Sequence, residues 1–266
     1  MSMNKKNPPI IFAVIGVLLV AVVGLLIFFA NKPKDTNNAT HSTTDPTQNK
    51  TLSKDELNKL ELPQLINTVG KDEAEVQIQT TAGNINIKLF PKLAPMAVQN
   101  FLTLAKEDYY NNNEFFRVIK DFMIQTGDPS NQGTGSKVVP AVNGGQAFDV
   151  EASNQLYNIR GALSLANTGE PSSSSSQFFV VQNTQDVTSQ IQDPSQYPDK
   201  IIEAYKKGGF PTGDGHYTVF GQVISGMDVV DKIATAEVKA NAQGEQSSPV
   251  HPEKITGIKV VKDWKF

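Results

Sequence analysis

Residues 10–30 read IIFAVIGVLLVAVVGLLIFFA, without one charged or strongly polar side chain. About 20 apolar residues are needed to cross a hydrocarbon core of roughly 30 Å, so this run predicts a single transmembrane helix. Being apolar on every side, it suits lipid better than the amphipathic setting of a core helix. A cleaved signal peptide has a shorter apolar region, of about 7 to 15 residues, followed by a small-x-small cleavage site. Here the run ends in Phe28, Phe29, Ala30 and Asn31, which favours an uncleaved anchor. Lys5 and Lys6 precede it and Lys32 and Lys34 come after it, a slight charge bias that does not by itself fix orientation.

Residues 31–50 are different in kind. NKPKDTNNATHSTTDPTQNK has almost no apolar residue to offset the entropy of ordering and reads as a polar tether. The expected organisation is a short tail (1–9), a transmembrane anchor (10–30), a flexible tether (31–52), a short helical connector (53–74) and a folded domain (75–266). The tether places that domain at the cell membrane, and its Thr and Asn content suits the extracytoplasmic side.

The 24 basic and 27 acidic residues give a net charge of -3, with no clustered basic excess of the kind nucleic acid requires. There is no cysteine, which excludes disulfides, thiolate nucleophiles and cysteine zinc sites. His41, His216 and His251 lie too far apart for a metal-ligand spacing. No metal, cofactor or nucleic acid is expected.

Ser53 followed by Glu56 forms a capping box for a short helix in the connector. From Val76 the pattern becomes alternating. VQIQTT, a turn, and INIKLF predict a hairpin with Val76 and Ile78 on one strand and Ile85, Ile87 and Leu89 on the other. Pro95 then opens a helix whose Val98, Phe101, Leu102 and Ala105 make one apolar stripe. Beyond it lie further strand-like runs (FFRVI, FMIQTG, ALSLA, QFFVVQ, YTVFGQVI), then a helix MDVVDKIATA and a last strand ITGIKVVKDW. Many strands and two packed helices suggest a closed barrel. The serines 172–176 read as a solvated loop, and the polar stretch 183–215, with its helix-like DKIIEAYKKG, as an insertion on the barrel.

FFRVI places a guanidinium, Arg117, in an otherwise apolar strand. Alternation puts it on a different face from Phe116 and Val118, while Met123 and Gln125 share a face in the next strand. On this motif alone an arginine capping a sheet edge is an equal reading. Gln177 in SQFFVV and the segment Leu165-Ala166-Asn167 add polar groups in apolar surroundings, the make-up of a ligand groove.

In the order FFRVIKDFMIQTGD, QGTGS, GALSLANT, SQFFVVQ and TVFGQVISGMDVVDKI, residues 75–266 resemble the cyclophilin family of peptidyl-prolyl cis/trans isomerases. The resemblance implies a mainly β fold: a closed eight-stranded antiparallel barrel capped by two helices, with a proline-binding groove on its outer face. It implies that Arg117 is the catalytic residue. Substrate would meet groove residues Phe122, Met123 and Gln125, backbone contacts at Ala166 and Asn167, and pocket positions Gln177, Phe179 and Tyr217. Phe116 replaces a common histidine, as does Tyr217. Thr212 and Gly213 stand where many members carry a tryptophan-leucine pair, so the resemblance implies a missing aromatic wall and weak cyclosporin inhibition.

The expected activity is rotation about X-Pro bonds in proline-containing polypeptides, particularly unfolded exported proteins, by a monomer without covalent chemistry. The other reading is a proline-peptide-binding or adhesive surface module built on the same fold.

Overall fold

The computed structural model describes residues 52–266. The expected anchor, and the tether up to residue 51, lie outside the described residues. Among the described residues no helix is long and apolar enough to cross a membrane. The described residues form one compact unit.

The hairpin read from VQIQTT and INIKLF is β1 (Ala74–Thr80) and β2 (Gly83–Leu89), paired with Val76 opposite Ile87 and Ile78 opposite Ile85. A period of two buries alternate β1 residues, because one face meets the core and the other meets water. The connector contributes α1 (Lys54–Leu57), whose capping box forms between Ser53 and Glu56. It is stitched to the sheet by Gln64, which donates to the Tyr157 carbonyl (2.9 Å) and to Gln222 Oε1 (2.9 Å).

Helix α2 (Pro95–Lys106) starts on proline and buries Val98, Phe101, Leu102 and Ala105. Its first turn lacks a local side-chain cap. Glu151 supplies one from a distance, accepting from the amides of Met96 (3.0 Å) and Ala97 (2.9 Å). Phe101 anchors the interior, with ring centroids 5.2 to 5.4 Å from Tyr110, Phe178 and Phe220.

The remaining strands are β3 (Arg117–Ile119), β4 (Met123–Thr126), β5 (Ala162–Leu165), β6 (Phe178–Val181), β7 (Val219–Ser225), β8 (Val238–Ala240), β9 (Gln246–Pro249) and β10 (Ile255–Lys262). Eight of the ten strands make one curled antiparallel sheet in the order β10-β1-β2-β7-β5-β6-β4-β3. The expected closure is not observed. Among the described residues the two edges meet through the isolated bridge Glu114–Lys254 and the neighbouring bonds Asn112 N–H to Ile255 O (2.8 Å), Ile255 N–H to Asn113 O (2.9 Å) and Phe115 N–H to Glu253 O (3.0 Å). Strand β3 is three residues long, and left-handed Asn112 (φ 63°) turns the chain just before it, so no continuous ladder can reach β10. The sheet is therefore a half-barrel.

The hairpin β8–β9, which packs against β3, has no counterpart in the sequence reading. It lies between the second expected helix, α4 (Met227–Ala234), and β10. The serine run also departs from expectation. Ser174, Ser175 and Ser176 are buried, because Ser174 pairs with Phe148 and Ser176 Oγ donates to the Gly127 carbonyl at 3.0 Å. Residues 183–215 carry α3 (Asp199–Tyr205), whose Ile201 and Tyr205 join Leu62, Tyr157, Ile159, Val187 and Ile191 in a small second core.

Candidate active site

Strand register assembles the site. Arg117 lies opposite Gln125 in the β3–β4 pair, and Gln125 lies opposite Phe179 in the β4–β6 pair, so the three share one face in one row. The intervening Val118 and Ile124 point the other way into the main core. Met123, Phe122, Phe179, Ala166 and Tyr217 belong to a separate apolar cluster on the Arg117 side. One sheet thus carries two apolar faces, one filled by α2 and the interior, the other left to form a site.

A cavity of about 80 Å³ opens on that side. It is lined by Arg117, Phe122, Met123, Gln125, Ala166, Asn167, Phe179 and Tyr217, together with Phe210. Its size suits one small apolar ring rather than a drug-sized molecule, which needs about 300 Å³ or more. A larger hollow of about 760 Å³, lined in part by Leu62, Leu65 and Ile66, contains none of the expected site residues. Among its charged groups, Lys92 and Asp72 are already paired at 3.0 Å.

Eight of the nine expected residues therefore meet at one pocket. Gln177, the ninth, sits behind it as a link: it accepts from Gln125 Nε2 at 3.0 Å and donates to the carbonyls of Gly133 (3.1 Å) and Gly135 (2.8 Å). Gln125 Oε1 in turn accepts from Arg117 Nη1 at 3.2 Å. The chain of bonds fixes which end of the Gln125 amide faces the arginine. The side chain of Asn167 is likewise engaged, donating to the His216 carbonyl at 2.8 Å and accepting from the Gly169 amide at 3.0 Å. It holds the segment that presents Tyr217.

The aromatic wall expected to be missing is present. Thr212 is exposed, as an aligned wall residue would not be, and Phe210 fills the place instead. Its ring lies 4.9 Å from Phe122 at 77° and 5.9 Å from Tyr217, and Tyr217 stands edge-on to Phe179 at 5.3 Å. Gly213 makes this possible: a Cβ there would come within 2.4 Å of Phe210 Cε1. Burial raises the Tyr217 hydroxyl above its usual range, against an opposing pull from Arg117, so it stays neutral at physiological pH.

Asp214 anchors the loop that carries Phe210 and Tyr217. Its carboxylate accepts from the Asn158 amide (2.6 Å), Asn158 Nδ2 (3.1 Å) and Tyr205 OH (2.5 Å). The Asn158 carbonyl in turn accepts from the Phe210 amide at 2.7 Å. Desolvation raises Asp214 to about 6 despite these donors.

Two residues near the pocket were not read from sequence as site members: Phe210, whose signal was an aromatic just before the turn Pro211–Gly213, and Glu245, which pairs with Arg117 at 2.7 Å. No group of acidic or histidine side chains among the described residues is arranged to hold a metal.

Comparisons with known proteins agree with this geometry. Residues 75–260 match the family model of the cyclophilin type peptidyl-prolyl cis-trans isomerases. A Staphylococcus aureus (strain USA300) protein, provisionally named a peptidyl-prolyl cis-trans isomerase, is 43% identical over 202 residues, covering 74% of this chain and 97% of its own length. A Staphylococcus saprophyticus protein of the same provisional name is 40% identical over 204 residues, covering 75% and 98%. The crystal structure of a cyclophilin type isomerase from Cryptosporidium parvum superposes with a TM-score of 0.57 at 27% identity, covering 72% of this chain and 99% of that one. A second structure of that protein was determined in the presence of the dipeptide Ala-Pro. With family match, relatives and fold in agreement, this chain belongs to the cyclophilin family of peptidyl-prolyl cis-trans isomerases.

Proposed function

We propose that the enzyme acts on unfolded exported polypeptides from a membrane anchor at residues 10–30, with its domain on the extracytoplasmic side, and that Arg117 is its catalytic donor. The observation that carries the catalytic part is the position of the Arg117 guanidinium at the rim of a small apolar pocket, beside Gln125.

Rotation about an X-Pro bond breaks amide resonance and faces a barrier of about 20 kcal/mol. In the twisted amide the prolyl nitrogen loses conjugation and becomes a hydrogen-bond acceptor. A donor aimed at that nitrogen stabilises the twisted form more than either planar isomer, which is the condition for catalysis. Phe122, Met123, Phe179, Phe210 and Tyr217 hold the ring, Gln125 orients the backbone beside it, and Arg117 donates. Ala166 and Asn167, which line the same pocket, border the peptide backbone. The transformation makes no covalent intermediate, so a nucleophile, metal or cofactor has no step to perform.

The placement rests on the 21 uncharged residues 10–30 and the polar tether after them. Protease added to intact cells tests it: the expected result is release of a folded, active fragment beginning within residues 31–50. Protection of the domain until the cells are lysed overturns the outward placement.

A further inference from the structure

The Arg117 guanidinium has two hydrogen-bonding edges, and one of them is fully occupied. Nε donates to Glu245 Oε2 at 2.7 Å and Nη2 donates to Glu245 Oε1 at 2.8 Å, a bidentate pairing. Nη1 meets Gln125 Oε1 at 3.2 Å and lies 3.9 Å from Met123 Sδ, at the pocket. Glu245 reaches this place from the turn that joins β8 to β9, 128 residues further along the chain. That turn is itself fixed. Asn241 Oδ1 accepts from the amides of Gln243 and Glu245, each at 3.0 Å, and Asn241 Nδ2 donates to the buried Ser247 hydroxyl at 3.2 Å. The hairpin lies against β3, the strand that bears Arg117.

Bond rotation needs no carboxylate, so the pair calls for another account. An arginine on a short edge strand, partly exposed, samples many rotamers, and a donor that points away from the prolyl nitrogen does nothing for the twisted amide. A carboxylate gripping the Nε/Nη2 edge fixes the plane of the group and leaves Nη1 turned to the pocket. We propose that Glu245 is a positioning residue for catalysis: it holds Arg117 in its donating orientation without touching substrate. This rests on Arg117 being the donor. It also runs against the opposite arrangement, in which Glu245 competes with substrate for the guanidinium and restrains the enzyme.

The test compares the purified protein with its E245A, E245Q, R117A and R117A/E245A variants, measuring kcat and KM on an X-Pro peptide. E245A is expected to lower kcat about 10-fold, part of the roughly 10² to 10³ that a lost transition-state donor costs, with KM changed less than about 2-fold. E245Q, nearly isosteric and retaining one acceptor, should recover part of the loss. In the R117A background E245A should change nothing further. The resonance of the Arg117 Nε–H, sharp and slow to exchange in the parent, should broaden or vanish in E245A.

An unchanged or increased kcat in E245A overturns the proposal. So does an equal loss in both backgrounds, which would mark a structural effect of the hairpin, or a lowered kcat with the Nε–H signal intact. Should E245A fail to fold, E245Q and the Nε–H signal carry the test. The two readings fail separately: an inactive R117A with a fully active E245A removes Glu245 alone, whereas a fully active R117A removes the reading of Arg117 and with it that of Glu245.

Discussion

Replacing Asp214 by Asn should change how stability depends on pH, in a direction that the structure fixes. The Asp214 carboxylate is enclosed by Asn158, Tyr205 and Tyr197, and desolvation outweighs its hydrogen bonds to raise it from 3.8 to about 6. The folded state therefore binds this proton more tightly than the unfolded state does. Between about pH 4 and 6 the folded form carries more protons, so unfolding free energy falls as pH rises. A shift of about two units, at about 1.4 kcal/mol each, amounts to about 3 kcal/mol. That stability is present below the unfolded value and lost by the time pH passes the folded one. The assay is urea unfolding of parent and D214N at several pH values from about 4 to about 7.5, taking the difference between the two proteins so that other carboxylates cancel. The Asn variant has its own constant cost from facing three donors with an amide, but that cost does not titrate. The parent's advantage should shrink by about 2.5 kcal/mol across the range, the rest of the effect lying below about pH 4. A difference that stays flat would show that the donors balance desolvation, and one that grows with pH that they outweigh it; in either case the loop holding Phe210 would be anchored by a stable anion.

Two further substitutions test the packing argument. F210A and G213A should each lower kcat/KM about 10-fold, since each removes or displaces the ring whose two aromatic contacts contribute about 0.5 to 1.5 kcal/mol apiece. Parent-like turnover in both would mean that Phe210 is not the wall of the pocket. Lys88, fully buried, pairs with Glu73 at 3.2 Å. E73A should cost about 3 to 5 kcal/mol by stranding that ammonium, and K88M combined with E73L should restore most of it, both read by urea melts. A double variant no more stable than E73A would refute the stranded-charge account.

How much of this was legible in the sequence varied with distance along the chain. Residues 117–125 contain their own geometry: a period of two, with Val118 and Ile124 turned inward, sets Arg117, Met123 and Gln125 on the outer side without reference to anything distant. The stripe of α2 was equally local. Phe210 was harder, because its place depends on Gly213 having no side chain and on Asp214 binding Asn158, contacts that no periodicity encodes. Glu245 left no signal at all, being an acidic residue in a polar turn whose role exists only once β9 lies beside β3. The half-open sheet has the same origin: closure depends on how residues 112–115 meet 253–255, and one bridge forms where a ladder was expected. The serines 174–176 misled by composition, since the Ser176 hydroxyl and the Ser174 backbone find partners that make burial tolerable.

In the proposed mechanism catalysis turns on one guanidinium, and R117A measures it. Against an X-Pro peptide, a folded R117A should keep KM within a few-fold and lose about 10² to 10³ in kcat, the cost of one transition-state donor. A folded R117A that turns over substrate at the parent rate would contradict the assignment of Arg117 and of the pocket built around it.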